Sequence, residues 1–309
     1  GLKHPIKTFS SLLFNPDGTF DACLLYNNIL FFAHYASYNS FILYYGGNFL
    51  KKNIYRFFIE LTNSKVLSCL LMRFAKSKSS KVIIPFYSKV YQLNWEEVER
   101  DNLDFRSLHE LFIRKLKDGS RPICEDKHAV VSPVDAVVED YGVISTEGTI
   151  TVKGKSYSME EMLGDEKVLQ KYLDGQYLIL YLSPSHYHRI HSPIQCEVMN
   201  RWTLGERSYP VNKMGLKYGK APLSKNFRVI TELKHQRGVI ALVKVGAMFV
   251  NSIEMTNKED KLEKGEEIAY FSFGSTVVLL FEKGTFRVAE DVKLGNEIKY
   301  GERLGYIVD

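Results

Sequence analysis

Apolar positions along the 309-residue chain change rhythm twice. From Ala22 to Leu50 there is no Lys, Arg, Asp or Glu, and Leu, Ile, Phe and Tyr dominate until Lys51, Lys52 and Arg56. A run of that length is enough to cross a bilayer. It is interrupted by Asn27, Asn28, His34, Asn39 and Asn48, whose polar groups are costly in hydrocarbon, and its tyrosines suit a membrane interface equally well. Residues 1–60 therefore read as a membrane-associated segment, with a spanning helix, an interfacial helix and a buried soluble helix all open. The run starts too late, and lacks the small-residue cleavage site, for a secretory signal.

Over residues 61–122 the period becomes helical. Val66, Leu67, Leu70, Leu71 and Phe74 share one face, ringed by Lys65, Arg73, Lys76 and Lys78, which makes a basic amphipathic stretch. Asn94 followed by Glu97 marks a second helix start. Ser107 with Glu110 forms a capping box ahead of Leu108, Leu111, Phe112 and Leu116, closed by Gly119 and Pro122. These apolar faces either pack on the rest of the protein or dock on a membrane surface.

After Pro122 the rhythm shortens to β-branched and aromatic runs separated by Gly, Pro, Asn and Asp, as in Ala129 to Val134, Tyr177 to Leu182, Val239 to Val245 and Thr276 to Phe281. Residues 123–309 form one β-rich domain on this reading. Lys264-Gly265-Glu266-Glu267-Ile268 recurs as Tyr300-Gly301-Glu302-Arg303-Leu304 and, more faintly, as Gly295-Asn296-Glu297-Ile298. A turn glycine, a charged pair and an apolar strand suit a sandwich of short hairpins. The fold class expected is α+β: N-terminal helices, then a β-rich domain with barrel-sandwich-like hairpin repeats. A similar phrase occurs in biotinyl and lipoyl carriers, but the Met-Lys-Met or Asp-Lys hairpin that such carriers modify is missing.

Composition narrows the function. The chain is 45% hydrophobic and 25% charged, which excludes disordered, collagen-like and coiled-coil classes, and its formal charge of +5 is too small and dispersed for a nucleic-acid protein. Cys23, Cys69, Cys124 and Cys196 have no CxxC spacing and read as buried thiols rather than a metal or disulfide framework.

Three clusters carry candidate chemistry. His186, His188 and His191 follow the apolar strand ending at Leu182, and histidines crowded on such a loop bind metal, move protons or serve structure; Cys196 and Glu197 nearby have no ligand spacing. Asp135 ends the strand Val131 to Val134, where it either caps a turn or orients an imidazole. Gly274-Ser275-Thr276 heads an apolar strand, with Gly274 leaving its carbonyl sterically open to the Ser275 hydroxyl. Val277 rules out a Gly-x-Ser-x-Gly elbow.

Together these clusters resemble the phosphatidylserine decarboxylase family of bacterial and mitochondrial membranes. The resemblance runs from about Ser64 to the C-terminus, through Leu111-Phe112-Ile113-Arg114 to Arg121-Pro122, Ser132-Pro133-Val134-Asp135, Tyr187-His188-Arg189-Ile190-His191-Ser192-Pro193, Tyr209-Pro210-Val211-Asn212, Asn226-Phe227-Arg228-Val229, Val245-Gly246-Ala247 and Phe273-Gly274-Ser275-Thr276. Two departures stand out. Ala136 replaces the usual Gly after the aspartate, and Met248-Phe249 replaces a polar Thr-Asn pair.

The resemblance implies a lyase made as a zymogen. Ser275 attacks the Gly274 carbonyl, with His191 as base and Asp135 orienting it, and the chain splits autocatalytically into a β chain (1–274) and an α chain (275–309) that stay together as a heterodimer, with a higher homo-oligomer open. Ser275 becomes a covalent pyruvoyl cofactor, with no pyridoxal phosphate and no metal. The implied reaction is decarboxylation of phosphatidylserine to phosphatidylethanolamine through a Schiff base, with His188 delivering a proton to the α-carbon. It also implies a membrane surface as partner and, in a eukaryotic cell, the mitochondrial inner membrane or endoplasmic reticulum. The competing enzyme reading is a Ser-His-Asp self-processing protease or hydrolase, which would leave a serine amine at position 275.

Overall fold

The structure is a computed structural model and describes residues 65–101, 104–247 and 252–308. The uncharged run Ala22–Leu50, the membrane-associated reading of residues 1–60 and the Met248–Phe249 departure all lie outside the described residues. The basic amphipathic stretch forms α1 (Lys65–Lys76), followed by a 3-10 turn at Lys78–Ile83 and by α2 (Ile84–Val90). Asn94 caps a single 3-10 turn, Trp95–Glu97, by accepting the Glu96 N–H at 3.1 Å. The Ser107 hydroxyl accepts the Glu110 N–H at 3.2 Å, as the capping box requires. Yet α3 covers only Leu108–Phe112 and does not run on to Leu116. Leu116 instead bridges Val98, with Glu99 N–H donating to Lys115 O at 3.1 Å and Lys117 N–H to Glu97 O at 2.9 Å. That pairing takes the backbone groups a further helical turn would need. Among the described residues no helix is long and apolar enough to cross a membrane.

Sixteen strands follow among the described residues: β1 (Ala129–Val131), β2 (Ala136–Val143), β3 (Thr149–Val152), β4 (Lys155–Ser158), β5 (Gln176–Leu182), β6 (Arg189–His191), β7 (Cys196–Leu204), β8 (Arg228–His235), β9 (Gly238–Gly246), β10 (Ile253–Met255), β11 (Lys261–Leu262), β12 (Glu267–Phe271), β13 (Ser275–Phe281), β14 (Phe286–Val288), β15 (Glu297–Ile298) and β16 (Arg303–Ile307). Short helices α4 (Met159–Leu163), α5 (Glu166–Gln170), α6 (Lys213–Tyr218) and α7 (Pro222–Lys225) intervene. The main sheet has eight strands in the order β11-β7-β8-β9-β13-β5-β2-β15, with antiparallel neighbours throughout.

β13 is buried at every position. Its side chains alternate, as the strand period demands: Val277, Leu279 and Phe281 join Leu180, Leu182 and Leu242 in one core, while Val278 and Leu280 join Ile179, Val243 and Val245 in the other. The first core is closed by the small sheets β10-β12-β6 and β1-β16-β14, the second by α4 to α7 and the β3–β4 hairpin. Ser275 falls on the first face by the same alternation. The recurring phrase is built as expected: Gly265, Gly295 and Gly301 have φ of +82°, +83° and +86°, and each is followed by a strand, β12, β15 and β16. The α+β class with layered hairpins holds, and no described strand order closes into a barrel.

Candidate active site

β5 ends at Leu182, and the histidine loop turns back to β6 under restraint from the helical region. Tyr87 OH on α2 donates to Pro184 O at 2.7 Å, and Arg114 Nη2, just past α3, donates to Ser185 O at 2.6 Å and to His186 O at 3.0 Å. The buried His188 ring has Nδ1 2.8 Å from His186 O; a carbonyl only accepts, so the proton sits on Nδ1 and Nε2 carries a bare lone pair. That Nε2 is buried with no hydrogen-bond partner among the described residues. Burial, with help from the Arg114 charge, holds the imidazole well below its ordinary pKa and therefore neutral. Phe112 lies against the ring at 3.9 Å between centroids and stacks in turn on Phe273, the residue before Gly274.

His191, on β6, is committed at both nitrogens: Nδ1 donates to Gly265 O at 2.9 Å, and Nε2 accepts from Tyr187 OH at 3.2 Å. Burial depresses its pKa to about 4, against the opposing effect of Glu267 and Asp135. Asp135 lies alongside, because His191 N–H donates to Pro133 O at 2.8 Å, but the two side chains share no hydrogen bond. The carboxylate is held instead by Arg121, through Nε at 3.0 Å and Nη2 at 2.7 Å, and by the Tyr300 N–H at 2.8 Å. Asp135 is expected to orient His191, but no hydrogen bond joins them here: Arg121 and the Tyr300 N–H hold the carboxylate, and Gly265 O and Tyr187 OH hold the imidazole.

Ser275 opens β13, opposite Leu182 on β5 and Gly246 on β9. Its Oγ is buried with no partner among the described residues, a condition that costs about 1–3 kcal/mol. The next ladder bond beyond the Ser275–Gly246 pair runs from Ala247 N–H to Gly274 O at 2.9 Å, so the carbonyl next to the hydroxyl is already polarised by a main-chain donor.

Arg114, Arg121, Tyr187, Tyr300 and the Ala247 amide are partners to which the sequence reading assigned no role. Arg114, Arg121, Tyr187 and Ala247 stand inside phrases that carried the resemblance, while Tyr300 opens one copy of the recurring glycine-turn phrase. The thiols depart from expectation in part: Cys196 is buried and Cys124 half-buried, but Cys69 is exposed, and Cys23 lies outside the described residues. Among the described residues no cluster of three or more His, Cys, Asp or Glu side chains is spaced to hold a metal.

In comparison with known proteins, the family model described as Phosphatidylserine decarboxylase matches residues 108–306, a range that contains Asp135, His188, His191 and Ser275. The chain belongs to the phosphatidylserine decarboxylase family. It is similar to proteins named phosphatidylserine decarboxylase proenzyme from Geobacillus sp. (strain WCH70), 56% identical over 83% of this chain and 99% of that protein, and from Anoxybacillus flavithermus, 57% identical over 83% and 97%. A third, from Geobacillus kaustophilus, is 54% identical over 83% of this chain and 97% of its own length.

Proposed function

We propose that this chain cuts itself between Gly274 and Ser275 and then decarboxylates phosphatidylserine to phosphatidylethanolamine and CO2. The observation that carries the reading is the buried, unpartnered Ser275 hydroxyl beside a Gly274 carbonyl that Ala247 N–H already polarises. Ser275 Oγ adds to that carbonyl carbon and gives its proton to a neutral imidazole, His191 on this reading, whose Nε2 must release the Tyr187 hydroxyl to take it. The C–N bond then breaks as the nitrogen takes up a proton, leaving an ester. Elimination releases the Gly274 carboxylate, and hydrolysis with loss of ammonia leaves a pyruvoyl group at position 275. That group supplies the electron sink no natural side chain offers to a carbon losing CO2. The surroundings fit it: residue 275 is fully enclosed, and His188 Nε2 is a buried base with nothing bound. In its observed tautomer Nε2 must accept a proton before delivering one. The substrate ammonium is the donor, and the α-carbon receives the proton after CO2 leaves.

The small chain 275–309 stays in place because β13 pairs on both edges, with β5 and β9. A lipid substrate accounts for exposed apolar side chains among cations near α1: Leu70 and Val82 are 49% and 74% exposed, beside exposed Arg73, Lys76 and Lys78. Intact-mass analysis of the purified protein tests the reading. Two chains meeting at residues 274 and 275, the smaller one blocked at its N-terminus and shifted by borohydride, are expected, and Ser275→Ala stays one chain. A free serine amine at position 275 would indicate a hydrolase, and an uncut chain that turns over phosphatidylserine would overturn the mechanism.

A further inference from the structure

Asp135 and His191 are neighbours that do not touch, and one residue touches both. Tyr300 gives its N–H to Asp135 Oδ1 at 2.8 Å and lays its ring on the His191 imidazole, centroids 3.8 Å apart and planes 9° from parallel. The Tyr187 ring, whose hydroxyl meets His191 Nε2, stands 5.8 Å from Tyr300 and completes the aromatic enclosure. Tyr300 sits at a turn anchored from several directions: Gly301 N–H donates to Ser132 O at 3.0 Å, and Lys299 Nζ reaches Glu97 at 3.3 Å. Glu97 is bound to the same Arg121 that grips Asp135.

From this geometry we infer that Tyr300 is the positioning residue through which Asp135 governs His191: the carboxylate holds the Tyr300 backbone, and the Tyr300 ring holds the imidazole in plane and shields it from water. The assignment rests on reading His191 as the base of self-cleavage. It gives the aspartate a part without the carboxylate–imidazole bond that is absent here. The C-terminal 35 residues, numbered 275–309, would thus supply both the nucleophile and the wall that orients its base. A ring that merely fills space would not couple to the carboxylate, and the two cases separate by measurement.

The charged and titratable groups facing His191 are Asp135, Glu267, Arg189, Tyr187 and Tyr300. Its titration is followed by NMR in uncut Ser275→Ala protein, so this arm stands even if self-cleavage fails as a reading. Removing the ring in Tyr300→Ala admits water and is expected to raise the His191 pKa from about 4 toward 6.5, by roughly one pH unit or more. In Asp135→Ala the lost charge lowers the His191 pKa and release of Tyr300 raises it, so this variant is read by the ring contact: the upfield ring-current shift that Tyr300 gives the His191 protons is expected to shrink when the carboxylate no longer holds the Tyr300 N–H. In the Ser275 protein, Tyr300→Ala is expected to slow cutting at least tenfold with a retained thermal transition, and Tyr300→Phe to rescue it. If Tyr300→Ala fails to fold, Tyr300→Leu, which keeps bulk without a flat face, decides in the same two assays. Unchanged cutting and unchanged titration in the folded Tyr300 variant, or an undiminished ring-current shift on His191 in Asp135→Ala, would overturn the inference.

Discussion

His188 and Ser275 each hide a polar atom with no partner among the described residues, and the proposed division of labour gives His191 the self-cleavage and His188 the proton transfer of turnover. His191 has both nitrogens occupied and lies in the aromatic enclosure, whereas His188 keeps a bare Nε2. On that division His188→Ala is expected to be cut normally and to lose decarboxylation by about 10²–10⁴-fold, the usual worth of a general acid–base. Gel analysis and CO2 release from phosphatidylserine vesicles separate the two steps, and normal turnover in that variant would remove the assignment. Replacing the Ala247 amide by an ester, with lactate incorporated at 247, deletes the donor to Gly274 O while keeping the shape. Cutting should slow by about 10²–10³, as for other oxyanion donors, in a time course of chain cleavage. At this scale the candidate residues stand out in the sequence because their types are chemically distinctive. The Ala247 donor was silent because every non-proline residue carries an N–H, and only register decides which one meets Gly274 O.

Elements position these residues through contacts that cross long stretches of chain. The loop Ser183–His188 depends on Arg114, whose Nη2 holds two of its carbonyls from 71 and 72 residues away. Arg114→Lys keeps the charge but replaces a planar fork with a point donor. It should leave the fold intact, cost decarboxylation about tenfold or more, and change cutting less, because His191 is anchored separately by Gly265 and Tyr187. Single-turnover assays on already cut protein check this. Gly301 offers a second test. At φ +86° it disfavours any side chain, and a Cβ there would stand 2.9 Å from Pro122 O. Gly301→Ala should destabilise by at least about 1–2 kcal/mol, read as a lowered midpoint in urea. The Gly-turn-strand phrases were legible because glycine alone takes that backbone cheaply. The early end of α3 was not, since Leu116 fits a helical face as well as the bridge to Val98, and the competing partner lies outside the helix.

Across the whole molecule, the layered α+β architecture followed from short apolar runs such as β13 separated by turn residues, while the order of the eight strands did not, because local pattern carries no information on which strands pair. The same layering buries imidazoles and so sets the acid stability of the domain. His188 is held well below its ordinary pKa, and His109, His191 and His235 are pushed down to about 4, in each case chiefly by burial. In the unfolded chain these rings titrate near 6.5. Above about pH 6.5 both states are neutral and nothing is lost. Between 6.5 and about 4 the unfolded state binds protons that the native state refuses, so stability falls as pH falls; below about 4 the imidazole contribution levels off. Each unit of depression on a buried ring is worth about 1.4 kcal/mol, so His191 alone accounts for about 3 kcal/mol by pH 4. His109 and His235 are less enclosed and contribute less. Carboxylates such as Glu232, whose pKa stays lowered because Lys171, Asn200 and Tyr172 outweigh its burial, add their loss only at more acid pH. Urea unfolding of uncut Ser275→Ala protein at pH 7.5, 6 and 5 should therefore show a decline over the range in which the imidazoles titrate in the unfolded chain. His191→Asn should flatten that decline, since an amide of similar size takes no proton. A stability unchanged from pH 7.5 to 5 would mean that water reaches these rings and that neither histidine is held neutral for proton transfer.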